Sequence, residues 1–208
     1  MGLEQGGAAY RPLVAFDFDG TLTWRDSFLA FLAWRFGPVR FALGMISLAP
    51  AGLAYAVHRD RGRIKAATVN TFLAGVARHD LLAQADRFAA ANARRLLRPD
   101  AIRCWRRWQE QGARLIIVTA SPELLVAPFA RGLGAEAVLG TRLAFSPSEI
   151  ATGALDGLNC RGPEKVERLS ALLGARPRLD AAYGDSDGDV EMLALAEEQG
   201  MKVFGEKP

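Results

Sequence analysis

The sequence predicts an α/β fold: a Rossmann-like parallel sheet core carrying an inserted all-helical cap. Short apolar runs with strand character, Leu13 to Ala15, Leu115 to Val118 and Leu179 to Tyr183, alternate with helical stretches. That alternation implies a parallel sheet with helices on both faces. Each run ends in a polar cluster, at the carboxyl edge of the sheet where open α/β folds bind ligands. Between the first and second runs lies a long insert that reads as helix throughout, rich in Ala, Leu and Arg. The expected division is a core of 11–24 and 109–208 and a helical cap of 25–108.

The first strand runs into Phe16-Asp17-Phe18-Asp19-Gly20-Thr21-Leu22-Thr23. Asp17 and Asp19, at i and i+2, would share a face if the strand continued. Gly20 and Thr21 turn the chain instead, so one acid can attack a substrate while the other handles protons. Asp and Gly also populate turns for conformational reasons alone. Two acids closing a buried strand are harder to explain that way, because burying charge is costly unless a metal or a partner compensates.

The insert follows. Asp26 to Phe36 carries Phe28, Leu29, Phe31, Leu32 and Phe36 on one helical side. Asp26 can cap this helix or bind substrate. Phe41 to Val57 contains no charged residue and holds Pro50 near its middle, which would break a straight helix. Arg35 and Arg40 lie before it, and His58, Arg59, Arg61, Arg63 and Lys65 after it. Two readings stay open for this run: a buried pair of cap helices, or a helical hairpin dipping into a membrane interface with residues 41–65 meeting anionic lipid. Ile64 to Val76 and Leu81 to Leu97 are further amphipathic helices, and a helix from Pro99 to Gly112 sets Trp105 and Trp108 on one face.

The second strand ends in Thr119-Ala120-Ser121-Pro122, and a helix then runs to Gly132. Ser121 can donate to phosphate or cap that helix. Ala137 to Leu139 is a strand, and Arg142 to Phe145 with Ala151 to Leu155 form a hairpin around Ser-Pro-Ser. Lys165 opens a helix that reaches Leu173. The strand Leu179 to Tyr183 ends in Gly184-Asp185-Ser186-Asp187-Gly188-Asp189; a helix over Asp187 to Glu197 and a last strand Lys202 to Phe204 complete the chain. The chemical order is acid pair, hydroxyl, lysine, acid pair. A carboxylate nucleophile with a divalent metal could use that set to move a phosphoryl group.

The 208 residues suit one core domain with an insert, and the net charge of +3 is too small for a nucleic-acid binder without a recognition motif. Cys104 and Cys160 have no metal spacing and fit reduced thiols, and the first dozen residues do not read as a secretory signal. A cytoplasmic location is expected, with peripheral contact at the inner membrane if the cap is interfacial.

The four motifs, in this order and over 13–204, resemble the haloacid dehalogenase superfamily of phosphatases, subfamily IB, whose members include phosphoserine phosphatases and phosphatidylglycerophosphatase C. The apolar cap run and the Thr119-Ala120-Ser121-Pro122 wording are similar to the lipid phosphatase; phosphoserine phosphatases carry a Ser-Gly-Gly turn there. The resemblance implies that the insert is a lid selecting substrate and excluding water. It implies Asp17 as nucleophile forming an aspartyl-phosphate and Asp19 as the acid and base. Thr119 and Lys165 would hold phosphate oxygens, with Ser121 and Asp26 as further substrate contacts. Mg2+ would be bound by Asp17, the Asp19 carbonyl and Asp185, with Asp189 holding its surroundings. The implied substrate is a phosphorylated lipid or amphiphile such as phosphatidylglycerophosphate, or else a soluble metabolite such as phosphoserine. A binding protein on this fold would have lost the nucleophile or the lysine, and this chain keeps both. A phosphonatase would want a cap lysine, and Lys65 is the one lysine in 25–108.

Overall fold

The computed structural model describes residues 10–58, 61–174 and 176–208. A five-stranded sheet forms the centre. Its strands are β1 (Leu13–Phe16), β2 (Arg114–Pro122), β3 (Ala137–Thr141), β6 (Leu179–Gly184) and β7 (Ala196–Met201), in the order β3-β2-β1-β6-β7. All neighbours pair in parallel. The central strands are buried on both faces, which is why they read as unbroken apolar runs rather than alternating ones. A two-stranded antiparallel ribbon, β4 (Leu143–Phe145) and β5 (Ala151–Leu155), stands apart from the sheet as the hairpin expected there.

Helices α6 (Glu123–Leu133) and α7 (Pro163–Leu173) follow β2 and β5. Helix α5 (Pro99–Glu110) starts with Pro at its first turn, where the missing N–H is not needed. It buries Trp105 completely against Phe16, ring centroids 5.0 Å apart, while Phe16 stacks on Tyr183 at 4.6 Å. Removing an aromatic of this kind from a core costs about 3–5 kcal/mol. The Trp105 indole N–H donates to Leu133 O at 3.0 Å, so the buried polar atom is satisfied.

The insert is helical as expected: α1 (Ser27–Ser47), α2 (Ala49–His58), α3 (Arg61–Leu73) and α4 (Arg78–Leu96). Helix α1 is long and apolar enough to cross a membrane by length and composition. It is not straight, since Gly37 at φ +72° with Pro38 kinks it. Its first half buries Phe28, Phe31 and Leu32. Its second half exposes Val39, Leu43 and Ile46 at 71%, 61% and 68%. The uncharged run therefore splits at Leu48, with Pro50 in the first turn of α2, where proline is tolerated. Arg59 of the basic flank lies outside the described residues.

The chain's end departs from expectation. In place of a helix over Asp187 to Glu197 there is a single 3-10 turn (Asp187–Asp189) and one turn of α8 (Val190–Leu193). The last strand is Ala196–Met201, not Lys202 to Phe204. Its residues Ala-Glu-Glu-Gln favour helix by propensity, but pairing with β6, Ala181 opposite Glu198 and Gly184 opposite Met201, overrides it. An edge strand with a solvated face tolerates that polarity.

Candidate active site

The polar clusters ending β1, β2 and β6 meet at the carboxyl edge of the sheet, with the first turn of α7 beside them. Asp17 follows β1 directly, and its amide donates to Tyr183 O at 2.8 Å, so its carboxylate leaves the sheet at the strand's end. Gly20 adopts φ +85°, and a Cβ there would lie 2.2 Å from Asp185 Oδ2. The turn after β1 can therefore approach the loop after β6 only with glycine at this position.

Lys165 is buried, and its ammonium uses all three donors. Nζ lies 2.6 Å from Asp17 Oδ1, 2.6 Å from Asp189 Oδ1 and 2.6 Å from Val118 O. Burial would lower its pKa, but Asp17 and Asp189 outweigh this and hold it above the ordinary lysine value. Asp189 is tied down on its other oxygen too. Oδ2 accepts from the amides of Asp185 and Ser186 at 3.1 and 2.9 Å and from Ser186 Oγ at 3.0 Å. Despite its burial, Lys165 and the Ser186 donors hold its carboxyl below the usual range.

Asp17, Asp185 and Asp189 each offer an oxygen within 4.8 Å of the others. Burial pushes the Asp17 carboxyl up to about 7, with Lys165 offsetting only part of the effect. Burial, then the Asp189 charge, raises Asp185 as well. The cluster is short of positive charge, and a small divalent cation among these hard oxygens fits it.

Asp19 stands beside this group. Its Oδ1 accepts from Ser27 N at 2.7 Å, and its Oδ2 from the Ser121 hydroxyl. Burial and nearby Asp26 raise its pKa. Ser121 is thus engaged with the second acid. Thr119 is buried where β2 shifts register, and its hydroxyl accepts from Ser121 N at 3.0 Å. Asp26 caps α1, accepting from Leu29 N at 2.8 Å, and also lines the cavity. Asp187 is exposed and paired with Arg161 and Arg61, outside the acid cluster.

Above the acids opens a cavity of about 770 Å3 between the sheet edge and the insert, lined among others by Asp17, Asp19, Thr119, Lys165 and Asp185. Besides Lys165, the wall carries four basic residues, Arg25, Arg61, Lys65 and Arg161, that the motifs do not mark. Lys65 of α3 reaches across to Ala120 O at 2.9 Å and lies 5.7 Å from the Phe28 ring centroid. Burial lowers its pKa. Arg161 lies in the loop before α7, four residues ahead of Lys165. Lys65 sits in a basic stretch that reads equally well as solvated helix surface, and Arg161 in a loop, so periodicity alone finds neither.

A family model described as haloacid dehalogenase-like hydrolase matches residues 14–194. The chain is 54% identical over 204 residues to Protein CicA of Caulobacter vibrioides, covering 98% of this chain and 91% of that protein. It is 31% identical over 190 residues to a phosphoserine phosphatase of Halobacterium salinarum, covering 88% and 82%. Its fold matches that of a substrate-bound phosphoserine phosphatase complex with a TM-score of 0.61 at 16% identity, over 95% of this chain and 90% of that one.

Proposed function

We propose that this chain, which belongs to the haloacid dehalogenase-like hydrolase family and is a phosphatase, hydrolyses phosphate monoesters through an aspartyl-phosphate on Asp17. The observation that carries this is the buried Lys165 ammonium joining Asp17 to Asp189, with Asp185 in the same cluster. The core of 11–24 and 109–208 supplies these groups, and the cap of 25–108 covers them, with α5 of that span resting on the core through Trp105.

Asp17 attacks phosphorus, and the ester oxygen leaves with a proton from Asp19. Asp19 then takes a proton from water as it attacks the same phosphorus, releasing phosphate and restoring the Asp17 carboxylate. The Ser121 hydroxyl and Ser27 amide hold Asp19 in position. Lys165 neutralises Asp17 and the incoming phosphate as a point charge, and Thr119 holds a second oxygen. Asp26 lies at the cavity wall as a further substrate contact. Asp17, the Asp19 carbonyl and Asp185 would hold Mg2+, with Asp189 fixing the surroundings. When bound, the cation supplies charge neutralisation and polarises the phosphoryl oxygens.

The substrate is a phosphate on a lipid or amphiphile, and the cap contacts a membrane surface at the cytoplasmic face. Leu53 of α2, 71% exposed, extends the apolar surface of Val39, Leu43 and Ile46. No acidic residue occurs from Ser27 to Arg59, and Arg61, Arg63 and Lys65 follow. Exposed apolar area beside basic residues suits an anionic bilayer. The alternative is a small soluble phosphate, favoured by the likeness to the Halobacterium phosphatase. A rate comparison among phosphatidylglycerophosphate, lysophosphatidate and phosphoserine, with and without detergent, separates them. Preference for phosphoserine over both lipids would overturn the lipid reading.

A further inference from the structure

The cavity above Asp17 has both polar and apolar lining. The sheet edge lines it with the acids, Lys165 and Thr119; the junction of α1 and α2 lines it with Met45, Leu48, Ala49 and Gly52, and α3 with Ile64 beside Arg61 and Lys65. A cavity of about 770 Å3 lies in the upper part of the roughly 300–1,000 Å3 range that takes a drug-sized ligand. A small metabolite phosphate would engage only the polar lining and leave the apolar wall facing water. Gly52 sits inside helix α2, where glycine costs about 0.5–1 kcal/mol relative to alanine. Its φ is not in the left-handed region, so the backbone there does not require glycine, and a Cβ at this position would meet nothing within 4 Å. Glycine thus leaves open space beside a residue that lines the cavity.

We propose that Met45, Leu48, Ala49 and Gly52 form a hydrocarbon subsite that takes the alkyl or acyl chain of the substrate, with Gly52 determining its depth. This rests on the reading that Asp17 hydrolyses phosphate monoesters, and it deepens that reading by assigning substrate selection to the start of α2. The chain lies along the α1–α2 junction while the phosphate reaches Lys165. The exposed apolar surface of the same two helices places the subsite's outer end where a lipid would enter.

The test is a series of n-alkyl phosphates, ethyl, butyl, hexyl and decyl, used below their aggregation concentrations. In the wild type, kcat/KM should rise by about two- to fourfold per methylene over the first several carbons, the selectivity expected from burying each CH2. The readout is the ratio of kcat/KM for decyl over ethyl phosphate within each protein. Gly52→Phe, which fills the subsite, should lower that ratio at least tenfold. Met45→Gln, at a half-exposed position that tolerates a polar group, should lower it about threefold without depending on the packing of a new ring. A flat wild-type series, with ethyl phosphate still hydrolysed, overturns the subsite while the phosphatase reading stands. A steep series that both variants preserve also overturns it, since the chain must then lie elsewhere. Failure to hydrolyse any ester in the series, with Mg2+ present, overturns the phosphatase reading itself and the subsite with it.

Discussion

The ammonium of Lys165 lies 2.6 Å from Asp17 Oδ1, and both side chains are buried. These residues are 148 positions apart in the chain. Their contact fixes the direction of the Asp17 carboxylate and supplies its counter-charge before any ligand arrives. The ion pair is not an isolated one, because the same ammonium bonds Asp189 and Val118 O. Removing Lys165 leaves two carboxylates, Asp17 and Asp189, stranded in a low-dielectric site, whereas Asp189 still pairs with Lys165 when Asp17 is neutralised.

Lys165→Met should therefore cost both turnover and stability. We expect kcat to fall at least a hundredfold and unfolding free energy at pH 8 to fall by about 3–5 kcal/mol. The stability loss should shrink at pH 5, as the abandoned carboxylates take up protons. Lys165→Arg should rescue poorly, because the guanidinium cannot meet three acceptors gathered around one point. Urea denaturation at the two pH values checks this; an equal loss at both would contradict it.

Asp17 gives a pH dependence of definite sign in metal-free protein. Its folded pKa, near 7, exceeds the unfolded value of about 3.9. Between those values the native state binds more protons, so this group's contribution to stability falls as pH rises through the window of about 4 to 7. Asp17→Asn removes that loss. In EDTA at pH 8 the variant should be more stable than wild type by about 1–3 kcal/mol, and the gap should close near pH 4. A gap independent of pH would show that Asp17 does not carry it.

Mg2+ should bind the folded protein and stabilise it whether or not substrate is present. At a hundredfold excess over Kd the gain is about 2.7 kcal/mol, seen as a rise in Tm. Asp185→Asn should abolish most of that rise, and Ca2+ should support turnover poorly because it favours a larger, looser shell. An unchanged Tm response in Asp185→Asn would place the metal elsewhere.

The cap should bring the protein to anionic vesicles. Co-sedimentation with phosphatidylglycerol vesicles should be strong at low salt and weaken as salt is added. Leu43→Glu with Ile46→Glu, at positions 61% and 68% exposed, should reduce it at least tenfold. Arg61→Glu with Arg63→Glu should reduce it less and flatten the salt dependence. Wild type that ignores these vesicles at low salt would overturn the membrane reading.

Much of this was legible in the chain because the chemistry lies in short segments. Apolar runs mark the strands that end at Phe16, Pro122 and Gly184, and topology alone brings such ends to one sheet edge. The 148-residue reach from Asp17 to Lys165 was legible only as motif order. The sequence around Ser121 allows a phosphate contact or a helix cap; in the structure its hydroxyl donates to Asp19 and makes no cap bond to α6. The β7 strand was hidden because Ala196 to Gln199 carries helix formers, and edge pairing is decided by the neighbour rather than by the segment. Lys65 was visible as the lone cap lysine, but its inward direction depends on how α3 rotates over the site.

The most direct test of the central claim is capture of the phosphoryl group on Asp17. The Asp19→Asn protein, given p-nitrophenyl phosphate and Mg2+, should accumulate the aspartyl-phosphate, because this leaving group needs little acid assistance and the second step lacks its base. Acid quenching, borohydride reduction and peptide mass spectrometry should then find residue 17 converted to homoserine, in an amount that follows the burst of p-nitrophenol. A burst with residue 17 unmodified, or with the phosphoryl group on another side chain, would contradict the account.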